Sequence, residues 1–541
     1  MAIGKAVRAV GFAVLIVVAS SGAVHSARGG AAADLEKLAN RLADPKTQAR
    51  AFQSLAENAD PAIEPLIRAL KDGALYRLQG RLVMLADDGS LRDVAGQAVD
   101  GTLPSGQEAV GLDEKLFGVV QRVLERFEVL SASREVRRAA AVKLGNSGAP
   151  TVIPLLERAR EREQDPGLRA VIDEALAKLQ LLSPDPAART RAVKHLGGLK
   201  SEAALSQLRA MLATEPDPAV RQEVKRAVDG IDSHIGIRNI VGYAFNGVSL
   251  GAVLLIMSLG LSVTFGLMGI INMAHGEMLM IGSYTAYVVQ EIVAQHWAGY
   301  QDYYFFVALP LSFIVAGLVG LALELGIIRF LYGRPLETLI VTWGIGMILQ
   351  QCARLYFGDQ TSVNAPTWFR GGVEAMAGLI FPWSRIFIVG LAVASLIALW
   401  LVLTYTFAGL RVQAVMQNRA MAACLGVSTR KVDAVTFALG TALAGVAGCA
   451  LALIGTVDPE VGKTYIVDSF MVVVLGGVGK LLGTVVASFT IGVFNKLLEP
   501  AIGGTAAAVY AKVAVLLMVI WFLQWRPTGL FPERGRAAEA T

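Results

Sequence analysis

Three side chains able to do chemistry lie within six residues of one another in an apolar surrounding: Asn272, His275 and Glu277, in Asn272-Met273-Ala274-His275-Gly276-Glu277. An imidazole beside a carboxylate is an acid–base pair. With the amide they also form a set of donors and acceptors for a small polar solute. The plainer job for the same groups is to cap a broken helix, because buried polar groups nearly always find partners. Thr342 and Trp343 add a hydroxyl and an indole inside another apolar run. Polar groups at membrane depth are costly and need a reason.

Other chemistries are absent. Gly476-Gly477-Val478-Gly479-Lys480 is followed by Leu481 where a phosphate-binding loop needs Ser or Thr, and Val474 stands where its first Gly belongs. Gly462-Lys463-Thr464 has Val457 in place of the upstream Gly. The cysteines, Cys352, Cys424 and Cys449, form no CxxC pair, so no metal site is expected. No basic stripe with interleaved aromatics points to nucleic acid. Five histidines in 541 residues leave His275 and Glu277 without a second catalytic partner, which argues against a membrane enzyme.

The elements that must position these residues divide the chain. Hydrophobic residues make up 54% and charged ones 17%, against about 25% charged in an ordinary soluble chain. The apolar excess begins near Asn239; the first 235 residues are charge-rich. Lys5 and Arg8, the apolar run Ala9–Ser20 and small residues up to Ala27 have the layout of a signal peptide over residues 1–27. The run is short of the ~20 residues a spanning helix needs, though an uncleaved anchor is the alternative. Residues 28–235 are then an exported, periplasmic domain. A capped-helix pattern recurs there: Asp44 to Leu55, Ser133 to Leu144, Asp165 to Leu176, Asp185 to Leu196, and a degraded copy from Asp217 to Val228. The last four starts are 32, 20 and 32 residues apart. Asp at the cap and Pro in the first turn start helices, and repeated pairs of them resemble HEAT repeats. Asp87 to Gly111 carries turn signals and reads as a loop or small extended insert.

From residue 236 the chain reads as a polytopic bundle, residues 236–532, with a short tail 533–541. Apolar segments fall at about 244–268, 272–293, 304–328, 337–356, 384–405, 433–455, 465–497 and 507–524. The 465–497 segment is too long for one pass and is interrupted at Gly476, Gly477, Gly479 and Gly483, which predicts a broken helix divided near Lys480. Arg329 and Arg334, then Arg411, Arg419, Arg430 and Lys431, mark two loops as cytoplasmic, as do Arg526, Arg534 and Arg536 for the tail. With the first domain outside, the count must be odd, so nine passes are expected. The loop 409–431 is long, basic and helix-prone, suited to a groove in a cytosolic partner or to the membrane surface. The fold class is therefore all-α: a membrane bundle of about eight or nine spans, some broken, preceded by a HEAT-like helical domain.

Five ordered stretches carry a family likeness: Ile271 to Gly276, Arg334-Pro335-Leu336, Gly409-Leu410-Arg411 through Asn418 to Leu425-Gly426, Val474 to Gly479, and Trp525 to Phe531. Over about residues 240–532 the chain resembles the permeases of branched-chain amino-acid importers. Within that family His275-Gly276-Glu277-Met278, Glu337-Thr338-Leu339 before Thr342-Trp343-Gly344, Gly479 to Thr484 and the long exported domain resemble the urea-permease type. The resemblance implies an inner-membrane subunit of an ATP-binding-cassette importer that moves urea, with branched-chain amino acids or short amides as the alternative. It implies a second permease subunit, two cytosolic ATPases that bind the ATP, a periplasmic solute-binding protein, and no cofactor on this chain. Asn272, His275, Glu277, Thr342 and Trp343 would line the solute pathway. Arg411, Asn418, Ala422, Ala423, Leu425 and Gly426 would couple to an ATPase, although the loop lacks the Glu-Ala-Ala of many importers. A sensor built on the exported domain is disfavoured, since no signalling domain follows the spans.

Overall fold

The structure, a computed structural model, describes residues 64–531 apart from 79–80, 87–89, 94–97, 100–108, 113–115, 270–271, 377 and 505, with a few positions between 39 and 51. The expected signal segment and the tail 533–541 lie outside the described residues. The chain forms two compact units, Met1–Ile235 and Gly236–Thr541.

In the first unit helix α1 (Glu64–Lys71) precedes an antiparallel sheet in the order β1 (Leu75–Leu78), β2 (Arg81–Leu85), β3 (Leu91–Asp93). Tyr76 stands opposite Val83, and Val83 opposite Asp93. The extended part thus starts ahead of the expected 87–111 insert. The short apolar runs on either side of residues 79–80 pair as a hairpin, a signal hidden among neighbouring helices.

Helices then follow in pairs: α2 (Phe117–Phe127), α3 (Arg134–Gly145), α4 (Ile153–Arg162), α5 (Pro166–Gln180), α6 (Pro186–Leu199) and α7 (Leu205–Thr214). Asp165 accepts from the amides of Gly167 and Leu168 at the start of α5, and Asp185 from Ala187 and Ala188 at the start of α6. Both satisfy amides that a helix start leaves open. Leu144, Leu156, Leu168 and Ile172 fill one core, and Val193, Leu196, Leu208 and Val224 the next. Burial of such side chains contributes about 1.5–3 kcal/mol each.

Two clasps bind the pairs. Arg137 forks onto Glu163 (2.8 Å) and donates to the carbonyls of Ser131 and Ala132. Arg189 forks onto Glu215 (2.7 and 3.0 Å) and donates to the carbonyls of Ser183 and Pro184. Arg169 and Arg221 close them from below, on the carbonyls of Glu163 and Glu215. Every member of the second clasp lies 52 residues after its counterpart, so one 32-residue and one 20-residue step make a structural period. The Arg137 guanidinium, helped by the amides of Asp165 and Gln164, holds the Glu163 carboxyl below the usual carboxylate range.

The second unit contains the membrane helices. Helix α8 (Pro218–Met268) brings in the first apolar segment. It is followed by α9 (His275–His296), α10 (Tyr304–Gly326), α11 (Pro335–Phe357), α12 (Trp383–Tyr405), the short α13 (Phe407–Gln417) and α14 (Arg419–Cys424), α15 (Thr429–Leu451), α16 (Val461–Gly476), α17 (Leu481–Ile502) and α18 (Ala507–Trp525). Among the described residues seven helices are long and apolar enough to cross a membrane. The two remaining long segments are α9, which carries the polar cluster, and α16. The 16 residues of α16 rise about 24 Å, short of the ~30 Å hydrocarbon layer. Seven of the nine expected passes are matched by helices that qualify as spans, and the break falls after Gly476.

α15 packs against α9 and α10 through glycine. A Cβ on Gly448 would sit 1.8 Å from the Leu279 carbonyl oxygen, one on Gly282 2.0 Å from that of Gly445, and one on Gly320 1.9 Å from Thr441 Oγ1. In lipid such close approach supplies the packing that water would otherwise drive. At the end of α16, Gly477 takes φ +95° and Gly479 +75°, a region open to glycine. Gly476 and Gly483 touch backbone to backbone as the chain turns into α17. The Leu530 amide then donates to the Leu475 carbonyl at 2.8 Å. Gly266 of α8 and Met416 of α13 meet Gly479, so the basic loop, the helix break and the segment after α18 share one end of the bundle.

Candidate functional site

α8 ends at Met268 and α9 begins at His275. His275 Nε2 lies 3.1 Å from the carbonyl oxygen of Met257, a residue eleven positions before the end of α8. Eleven residues of helix span about 16 Å, so α9 begins deep in the bundle. Irregular backbone at such depth is tolerated only where protein buries it or it lines a cavity.

The start of α9 is held by two of the expected residues. Asn272 Oδ1 accepts from the Ala274 amide at 3.0 Å. Thr342 Oγ1 accepts from the Met273 amide at 3.1 Å and donates to the Leu339 carbonyl at 3.1 Å. Gly276 rests on Gly462 of α16 with no room for a Cβ on either side. Asn272, His275 and Thr342 therefore stand behind the site and shape it.

The face they present is a cavity of about 160 Å³ between α9, α11 and α16, lined by Met273, Glu277, Trp343, Met347, Gln350 and Lys463 among others. Glu277 is 3% exposed. Its Oε1 accepts from Gln350 Nε2 at 2.6 Å, and its Oε2 is buried without a partner. Asn272 Nδ2 and His275 Nδ1 are also buried and open. A carboxylate oxygen beside a carboxamide receives N–H donors, so the cavity can hold an ammonium or an amide nitrogen. No hydrogen bond joins His275 to Glu277 among the described residues.

Of the five pathway candidates, then, Glu277 and Trp343 line the cavity and the other three support it. Gln350 and Lys463 are not among the expected pathway residues, yet both line the cavity. Gln350 meets Glu277 across 73 positions in the chain, a contact that no local pattern announces. Asp468 sits inside α16, 2% exposed, and pairs with Lys512 of α18 at 3.2 Å.

The basic loop folds as α13 and α14. Asn418 caps α14, accepting from the Met421 amide at 2.9 Å. Arg411, Ala423, Leu425 and Gly426 are exposed, Leu425 by 78%. Ala422 is not: it is 3% exposed and packs with Leu267, Val412, Val415 and Val432, so it seats the loop on the bundle and offers no surface to a partner. The glycines Gly476, Gly477, Gly479 and Gly483 lie at the loop's end of the bundle, apart from the cavity, and shape the turn between α16 and α17.

Residues 243–523 match the family described as "Branched-chain amino acid transport system / permease component". In the first unit, residues 175–235 match HEAT repeats and 136–161 a PBS lyase HEAT-like repeat. Over 291 residues the chain is 28% identical to the "High-affinity branched-chain amino acid transport system permease protein BraD" of Pseudomonas aeruginosa, covering 53% of this chain and 93% of that one. It is 29% identical to the LivH permease protein of the same system in Escherichia coli, with the same coverage. The LivM permease protein of that bacterium is 27% identical over 52% of this chain and 69% of its own. No solved structure matches.

Proposed function

Since the chain belongs to the branched-chain amino-acid permease-component family, a family of membrane permeases of ATP-binding-cassette importers, we propose that it moves a small polar solute bearing amino or amide nitrogen past Glu277. The observation that carries this reading is the deep start of α9, where a buried carboxylate with one open oxygen faces a cavity beside Gln350. Broken helices whose ends meet at mid-depth are how transporters hold solutes in lipid. A second permease completes the passage. Two cytosolic ATPases grip the exposed part of α13 and α14 and bind all the ATP. A binding protein delivers solute at the opposite face, the periplasmic side of the inner membrane, where residues 28–235 also lie. The tail is cytoplasmic.

Two solutes fit. An amino acid is the first reading: the relatives are branched-chain amino-acid permeases, and Glu277 and Lys463 in one cavity complement a zwitterion. Urea is the second. It is favoured by the Gln350–Glu277 pair, which suits a neutral diamide, and by the first unit, which lies outside the stretch shared with the amino-acid relatives. The test is uptake of labelled leucine and labelled urea by the reconstituted importer. Faster leucine uptake selects the first reading and faster urea uptake the second. Failure to take up either solute in an ATP-dependent way defeats both.

A further inference from the structure

Helix α14 has six residues, too few to be stable alone, and most of its surface is open. Three attachments hold it. Asn418 caps its own start, Ala422 rests in an apolar pocket, and Arg419 reaches into the bundle. There the guanidinium makes a two-pronged bond to the carboxylate of Asp433 on α15, with Nη1 to Oδ1 at 3.2 Å and Nη2 on Oδ2. Asp433 is fully buried, and Arg419 is its one partner among the described residues. The guanidinium also lies over the ring of Tyr332, 5.2 Å from its centroid. The Tyr332 hydroxyl donates to Glu324 of α10 at 3.1 Å, and Glu324 is itself 2% exposed. Arg329 is the other cation near this group, and its guanidinium faces Phe330.

The consequences for motion differ among the three. An alanine in an apolar pocket can slide, and a cap stays within its own helix. A buried carboxylate cannot be left without its cation, because an uncompensated charge out of water is strongly unfavourable. α10 and α15, which supply the two carboxylates, are packed backbone to side chain at Gly320 and Thr441 and behave as one body in which interdigitated surfaces shift together.

We propose that Arg419 is the positioning residue through which displacement of α14 is imposed on the α10–α15 pair, with Asp433 as the anchor and the Tyr332–Glu324 bond fixing the plane in which the guanidinium lies. The proposal rests on the importer reading. Arg419 touches neither solute nor nucleotide in it; the residue converts a push on the loop into movement of helices that border the solute-facing α9.

The test is made on the complete importer in proteoliposomes, with solute uptake and ATP hydrolysis followed in the same sample. Asp433→Asn is expected to lower the solute moved per ATP hydrolysed by about tenfold, inside the usual range of coupling between two sites. Arg419→Lys keeps the charge but loses the fork and should fall between wild type and Asp433→Asn; it also carries the test should Asp433→Asn fail to assemble. The exchange Arg419→Asp with Asp433→Arg should recover most of the ratio. A merely structural role predicts uptake and hydrolysis falling in proportion, with the ratio unchanged, and that result in Arg419→Lys overturns the proposal. A wild-type complex without ATP-dependent uptake of any solute would instead overturn the importer reading.

Discussion

The two units of the chain bury charge to opposite ends. In the repeat unit Glu163 and Glu215 are nearly inaccessible, and each is clasped by an arginine fork with further bonds to backbone. In the membrane unit several buried polar groups are only half-used. Among the described residues every buried side-chain nitrogen or oxygen without a partner lies beyond residue 236, including Asn272 Nδ2, His275 Nδ1, Glu277 Oε2 and Glu324 Oε2. The contrast separates two uses of a costly feature. A fully paired charge locks one geometry. A buried group with an open valence holds capacity for a visitor, and the fold meets that cost elsewhere, through glycine-tight helix packing.

The comparison can be broken at several points. The largest effect is expected from Gly448→Val, whose Cβ would collide with the Leu279 carbonyl. Overpacking of this kind costs about 3 kcal/mol or more, read as loss of monodisperse protein in detergent. Normal yield of this variant would mean that the contact between α9 and α15 is not what holds the bundle. Next is Glu215→Ala, which strands Arg189 and should destabilise the repeat unit by about 3 kcal/mol, seen as faster proteolysis of residues 134–235 in the intact chain. Arg134, in an exposed pair with Asp165, is the control: surface pairs contribute little, so Arg134→Ala should digest like wild type. If the two variants behave alike, burial is not the deciding variable.

Glu277→Gln sharpens the other side of the contrast. The open oxygen binds nothing in the resting fold, so folding should be unaffected while uptake falls about tenfold, the worth of one hydrogen bond to a charged group. An uptake rate equal to wild type would show that the cavity is a packing defect. The smallest effect concerns acidity. The Glu163 carboxyl is held below its ordinary range in the folded unit. Its contribution is therefore present above the unfolded value of about 4.3 and is lost as pH falls through the lowered one. Thermal melts of wild type against Glu163→Gln should differ at neutral pH and draw together progressively as pH falls below about 4.3; a gap that widens in acid would reverse the sign argued here.

What could be read in the residues was local. The helix starts at 165, 185 and 217 were visible because Asp and Pro announce them at short range, the one at 133 because Ser stands there, and the break near Lys480 because glycines cluster there. The Asn272–Glu277 group was visible as polar residues in an apolar run. The partners were not. Gln350, Lys463 and Gly462 reach the site from other helices, and residues that meet across lipid leave no spacing to count. Ala422 illustrates the same limit from the other side: in a loop of alternating small residues, which alanine faces inward depends on the helices beneath. The strands at Leu75–Leu78 and Arg81–Leu85, ahead of the expected insert, were overlooked because runs of four or five residues carry too few periods to stand out.

The bond from the Leu530 amide to the Leu475 carbonyl has a bearing on biogenesis. This end of α16 is closed by amino acids made some fifty codons later, so its Leu475 carbonyl has no such partner while the ribosome is still translating α18. A fusion tag joined directly to Trp525 would displace the closing segment, whereas one joined beyond Phe531 would leave it in place.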